Sequence, residues 1–225
     1  MRLDRVIGKW AEWGRRRVRE CVEAGEVTVN GKIVDQAALL IGKFDRVEVA
    51  GEVVQANTRR LIILNKPVGV VSATKDEEHP TVIGLIDRPW ASELHLAGRL
   101  DRYTSGLMIL TNDGEFSESL TEPSRKVGKR YLVSVDGAIR AEVVKAFEEG
   151  MWFAKEQIQT APAIVELLGI SQCRLTIFEG KHHQVKRMFA RFDLRVVQLH
   201  REAIGDIELP DDLQPGEWRE FNKPH

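Results

Sequence analysis

Cysteine and tyrosine each occur only twice in this chain, and nothing in it approaches the roughly 18–20 apolar residues that span a bilayer. Cys21 falls in a helical pattern and Cys173 opens an alternating run. Neither offers a disulfide framework or metal-ligand spacing, and both read as buried thiols. The charged first segment lacks the apolar region of a secretory signal, so the cytoplasm is the expected location. A net charge of −1 excludes a uniformly basic nucleic-acid binder; any such surface must come from uneven placement of charge. Glycines are scattered and match no phosphate-cradling fingerprint. His182, His183 and His200 have no Cys or acidic partners at ligand spacing, and no internal repeat is visible. Neither a metal nor a cofactor is expected.

What is present suffices for a real core, with 43% hydrophobic residues in a chain of 225. Leu3, Val6, Ile7 and Trp10 recur at helical spacing, and Val18, Cys21 and Val22 continue the pattern in a second helix after Gly14. Period-two alternation follows at Val27–Val29, Ile33-Val34 and Val47–Val49, with the turn pair Asn30-Gly31 between the first two. Residues 1–54 thus form a small αα-β unit, and 55–60 a polar linker. The first twenty residues hold seven basic and three acidic side chains. Arg15, Arg16 and Arg17 open the second helix, where clustered guanidinium groups favour phosphate.

Residues 61–225 alternate between strand patterns, at 61–64, 107–111, 131–135, 163–168, 173–178 and 196–199, and helix patterns at 81–88, 115–121, 140–149 and 183–192. That is an α+β layout. Within it, Gly98 and Gly106 bracket the tip Arg99-Leu100-Asp101, and the apolar run Leu107–Leu110 anchors it. An acid on a braced loop is a candidate nucleophile.

The string Gly-Arg-Leu-Asp-x-x-Thr-Ser-Gly-Leu at 98–107, followed by Leu-Thr-Asn-Asp-Gly, resembles the catalytic motif of the pseudouridine synthases. So, in order, do Asn65-Lys66-Pro67-x-Gly69, Lys129-Arg130-Tyr131 and Glu179-Gly-Lys-His-His-Gln-Val-Lys-Arg-Met188. The last string and the amino-terminal unit are most similar to the RsuA-type branch, which modifies small-subunit ribosomal RNA, and the first unit resembles the alpha-L RNA-binding domain. The resemblance implies a bent, mainly antiparallel mixed sheet flanked by helices, with the active-site cleft across its middle. It also implies a monomer acting on ribosomal RNA, on no membrane and without a cofactor.

The resemblance makes Asp101 the catalytic residue, Tyr131 an aromatic stacking on the flipped uracil, and Lys186 the cation beside the Asp, where many relatives carry Arg; Arg187 is the reserve. Arg99 would hold the extruded nucleotide or fill its gap, with Lys66, His183, Gln184 and Arg187 contacting substrate RNA. The chain departs from the family at Tyr103, where relatives show a small or acidic residue, and at Trp13-Gly14, where many carry a polar helix cap. Two other readings stay open: a synthase of the same branch acting on large-subunit RNA, and a ribosome-assembly protein that binds RNA without catalysis.

Overall fold

The computed structural model describes residues 1–154 and 157–222 and divides into two compact units, Met1–Arg59 and Arg60–His225. In the first, α1 (Leu3–Ala11) and α2 (Arg15–Glu23) cover a four-stranded antiparallel sheet of β1 (Val27–Val29), β2 (Lys32–Ile33), β3 (Val47–Val49) and β4 (Glu52–Gln55), in the order β2-β1-β3-β4. Its core is Leu3, Ile7, Val18, Cys21, Val22, Val27, Ile41, Val47 and Val49. Trp10, despite its helical spacing, is exposed. Asn30 and Gly31 both take positive φ, 51° and 77°, as a tight hairpin with right-handed twist requires. No side chain caps α2, whose N-cap is Gly14. The linker is shorter than 55–60: Gln55 ends β4 and its amide donates to Gly42 O and Asp45 O, while Arg60 packs its guanidinium 4.0 Å over the Trp90 ring of the second unit.

The second unit is α+β, built on a nine-stranded sheet. Its path runs from β11 (Ile164–Leu167) through β12 (Gln172–Ile177), β8 (Lys129–Val135), β13 (Val196–Ile204), β7 (Ser105–Thr111) and β5 (Leu61–Lys66) to β15 (Trp218–Glu220). Strand β6 (His95–Leu96) pairs with β7 and β14 (Ile207–Glu208) with β13. Strands β9 (Trp152–Phe153) and β10 (Ile158–Gln159) form a separate hairpin. Every pairing is antiparallel except β13 with β7.

Burial explains the two kinds of apolar pattern. Leu61 and Ile63 of β5 pack with Leu107 and Ile109 of β7 against Phe116 and Leu120 of α3 (Gly114–Thr121). The intervening Ile62, Leu64, Met108 and Leu110 belong to the other core, with Phe147 of α4 (Ala141–Glu149) and Phe189 of α5 (Gln184–Ala190). Strands buried on both faces read as continuous apolar runs. In β8 and β12 alternate residues are buried, and their open face carries the ion-pair chain Arg130–Glu202–Arg174–Glu166. Asp113 caps α3 by accepting from Phe116 N at 3.2 Å.

The helix expected at 81–88 is instead one 3-10 turn, Ile83–Leu85. Gly84 in its centre and Pro80 and Pro89 at its flanks oppose a longer helix. Strand β13 extends five residues past its expected end at 199, because the ladder to β8 continues through Arg201 and, past a bulge at Glu202, through Ala203 and Ile204. Four of the strands from β6 to β15, each of two residues, are too short to show a period.

The ladder between β7 and β13 has only two residue pairs, Ser105 with His200 and Gly106 with Arg201; further along, β6 takes the place beside β7. At this seam Gly106 has φ +102°, and a Cβ there would collide with the Arg201 backbone carbonyl and amide. Gly106→Ala is therefore expected to destabilise the protein by about 3 kcal/mol or more, through left-handed strain plus overpacking. Urea unfolding of the variant and the parent measures this.

Candidate active site

Asp101 sits on the loop that leads into β7 at this seam. Gly98, at φ +98°, turns the chain into the tip, and Ser72 clamps the loop from within: its Oγ donates to Leu100 O at 2.7 Å and accepts from Leu100 N at 3.0 Å. Beneath the other end lies Lys66. It is fully buried, and its ammonium donates to Thr104 O at 2.7 Å, Pro67 O at 3.0 Å and Arg102 O at 3.4 Å. The aspartate is thus aimed by a backbone held on both sides.

Its carboxylate faces the N-terminal end of α5. His183 takes a left-handed conformation, φ 50°, immediately before the helix; its Nε2 lies 2.8 Å from Asp101 Oδ1, and its ring stacks on His182 at 3.9 Å. Lys186 Nζ, one turn on, is 3.8 Å from Oδ2, an ion pair longer than a hydrogen bond. Arg187 is turned away, with its guanidinium 4.5 Å over the Phe153 ring and Nη1 donating to His182 O at 3.5 Å. Of the two cations weighed for the carboxylate, the helix brings Lys186.

These groups line an open cleft of about 510 Å³. Tyr131 and Leu199 lie on its sheet side and Arg99 and Arg102 on its rim, with Lys181 and His182 also lining it. Among the described lining residues Asp101 is the single acid, against Arg99, Arg102, Lys181 and Lys186. Such a cleft suits a polyanion that presents one reacting unit to one carboxylate. Among the described residues no three His, Cys, Asp or Glu side chains cluster as a metal would require, and no helix is long and apolar enough to cross a membrane.

The structure gathers Asp101, Tyr131, Arg99, His183 and Lys186 at one cleft, which the largely buried Gln184 also lines, and places Lys66 beneath it. Lys66 reaches no solvent, because its position on β5 points it under the loop. Gln184 is buried, its amide donating to Glu179 Oε1 at 2.6 Å and its carbonyl accepting from Lys181 N, so it braces the turn into α5. Arg15, Arg16 and Arg17 are exposed in the first unit; Arg16 pairs with Glu20 at 2.9 Å, and Arg17 covers Trp13 at 4.5 Å. Sequence reasoning missed Ser72 and Arg201. Arg201 is fully buried and donates to Leu107 O at 2.8 Å, with Nη2 3.4 Å from Met108 Sδ. An arginine inside an otherwise strand-like run was the available signal.

Fold and site define the class, and comparison agrees: residues 60–191 match the family model of RNA pseudouridylate synthases. Across 223 residues the chain is 43% identical to a ribosomal small subunit pseudouridine synthase A of Pseudomonas aeruginosa, covering 99% of this chain and 97% of the relative. With its counterpart in Escherichia coli K12 the identity is 41% over 220 residues, covering 97% and 95%. A crystal structure of a pseudouridylate synthase superposes with TM-score 0.71 at 36% identity, covering 99% of this chain and 96% of the other. The chain belongs to the RNA pseudouridylate synthase family, in its RsuA-type branch. It is an RNA pseudouridine synthase, an isomerase.

Burial lowers the Lys66 pKa from 10.5 to about 8, with Arg201 and Lys186 pushing the same way and Asp101 opposing. Between those values the unfolded chain holds a proton that the folded protein has released, so this group makes stability rise with pH from about 8 to 10.5. Relative to Lys66→Met, the parent is expected to gain about 3 kcal/mol across that window and nothing below it. Denaturant unfolding of both proteins at a series of pH values measures the difference.

Proposed function

We propose that this enzyme converts one uridine of small-subunit ribosomal RNA to pseudouridine, with Asp101 as its nucleophile. The observation that carries the role of Asp101 is its carboxylate, aimed into a basic cleft with His183 at 2.8 Å and Lys186 at 3.8 Å. The small-subunit target rests on the names of relatives about 40% identical over nearly the whole chain. Action on ribosomal RNA puts the enzyme in the cytoplasm.

The isomerisation breaks the bond between ribose C1′ and uracil N1 and forms one from C1′ to C5; the C5 proton is lost and N1 gains one, so no oxidant or energy source enters. A carboxylate nucleophile holds one fragment while the other turns. His183 and Lys186 keep that carboxylate oriented toward the cleft. Tyr131 offers a ring for the flipped uracil and a hydroxyl at the cleft. Arg99, exposed on the rim, meets the strand from which the base has left. The first unit adds phosphate contacts through Arg15, Arg16 and Arg17.

Pseudouridine mapping of ribosomal RNA from cells with and without the protein is expected to show one site lost, in the small-subunit RNA. Asp101→Asn should bind RNA and fail to restore that site, since the amide keeps the shape and loses the charge. Lys186→Met should lower the single-turnover rate about 10–100-fold, as the loss of the carboxylate's ion-pair partner implies, and Lys186→Arg should retain most of it. A cell that loses no site, or an Asp101→Asn enzyme that restores it, refutes the reading.

Replacing Arg15, Arg16 and Arg17 together with Ala should weaken RNA binding and flatten its dependence on salt, because fewer counterions are released. Turnover on saturating RNA should change little. Filter binding across 50–200 mM salt reads the slope, and an unchanged slope assigns the three arginines to solvent.

A further inference from the structure

Of the chain's two tyrosines, Tyr131 is built into the cleft and Tyr103 stands outside it, 68% exposed. Tyr103 does not lie on a slack loop. Gly69 N donates to Arg102 O at 2.7 Å and Arg102 Nε donates back to Gly69 O at 3.2 Å, so the turn Pro67-Val68-Gly69 and the loop of Asp101 form a single rim. The buried Lys66 ammonium holds the carbonyls of Arg102 and Thr104, on either side of Tyr103, and Thr104 itself is buried. The ring is presented from a fixed backbone.

The surroundings suit one kind of occupant. Val68, on the joined turn, is 59% exposed, so two large apolar side chains occupy a rim whose outward charges are Arg99 and Arg102. The Arg102 guanidinium lies 5.6 Å from the Tyr103 centroid. An exposed aromatic with arginine around it, beside a polyanion-binding cleft, is the composition on which unpaired bases stack. Tyr103 is two residues from Asp101, so their Cα atoms are at most about 7.6 Å apart. A base on this ring therefore adjoins the uridine at Asp101.

We infer that Tyr103, with Val68 and Arg102, forms a stacking subsite for an unpaired nucleobase flanking the target uridine. The inference rests on Asp101 as the reacting centre. It adds a specificity element to the reaction of this class of enzyme.

The test uses a ribosomal RNA fragment carrying the mapped uridine, and the same fragment with an abasic nucleotide on its 5′ or 3′ side. One of the two abasic substitutions should raise KM of the parent enzyme about tenfold. Tyr103→Ser should show that rise already on intact RNA and little more on the abasic fragment; Tyr103→Phe should match the parent. Changes in kcat at saturating RNA should stay under about threefold. Independently of turnover, 2-aminopurine at the flanking position should be quenched on binding by Asp101→Asn and not by Asp101→Asn combined with Tyr103→Ser. A Tyr103→Ser enzyme with the parent KM and an undiminished abasic penalty overturns the subsite. So does one that is normal on naked RNA and impaired only on ribosomal particles, which gives the ring a protein partner. Absence of modification by the parent enzyme, with quenching intact, would count against the proposed substrate and leave the subsite standing.

Discussion

The backbone ladder of the catalytic unit narrows to two residue pairs across its middle, over a core shared by both sides. Ser105 and Gly106 of β7 lie beside His200 and Arg201 of β13, the one parallel contact in an antiparallel sheet. Strand β8 and its neighbours lie on one side, β5 and β15 on the other. The close approach is possible because position 106 has no side chain and adopts φ +102°. Ser105 Oγ and His200 Nδ1 meet at 2.9 Å across the same seam, and the Arg201 guanidinium reaches over it to Leu107 O. The chain enters β7 at this seam from its antiparallel neighbour β6 through the loop 97–104, and that loop carries Asp101.

Charge is arranged around the loop as deliberately as packing. Lys66 and Arg201 are both fully buried, and among the described residues their hydrogen bonds go to backbone carbonyls and a thioether rather than to carboxylates. Buried cations without a paired acid are unfavourable in isolation. Here they lie behind a cleft whose single acidic lining residue is Asp101, so their field acts on that carboxylate and on the phosphates that enter. The open face of β8, β12 and β13 is different in kind: its arginines are neutralised by Glu166, Glu202 and Glu208, which leaves the cleft side as the basic one.

Elements long enough to show a period were legible. Continuous apolar runs at 61–64 and 107–110 reported strands buried on both faces, and the alternation at 131–135 and 173–177 reported strands with one wet face. Asn30-Gly31 reported its turn because few other residue pairs take two positive φ values. Illegible were the short strands β6, β9, β10 and β14, where two residues cannot display alternation, and the 3-10 turn at 83–85, where apolar spacing suggested a helix that Gly84 and the flanking prolines prevent.

The sequence by itself determined the class of chemistry. One acid between two glycines, followed by an apolar strand, made Asp101 a candidate nucleophile, and the resemblance of that string and three other ordered motifs to the pseudouridine synthases implied its role. Only the tertiary structure decided which side chains surround it. Lys186 rather than Arg187 meets the carboxylate because α5 begins at Gln184 and fixes the phase of its faces; His183 comes closest because its left-handed backbone turns the ring inward; and Lys66, which motif position alone set among the RNA contacts, lies beneath the loop because β5 is buried on both faces. Helical phase, backbone handedness and sheet burial are long-range consequences of packing, and a local string of residues does not contain them.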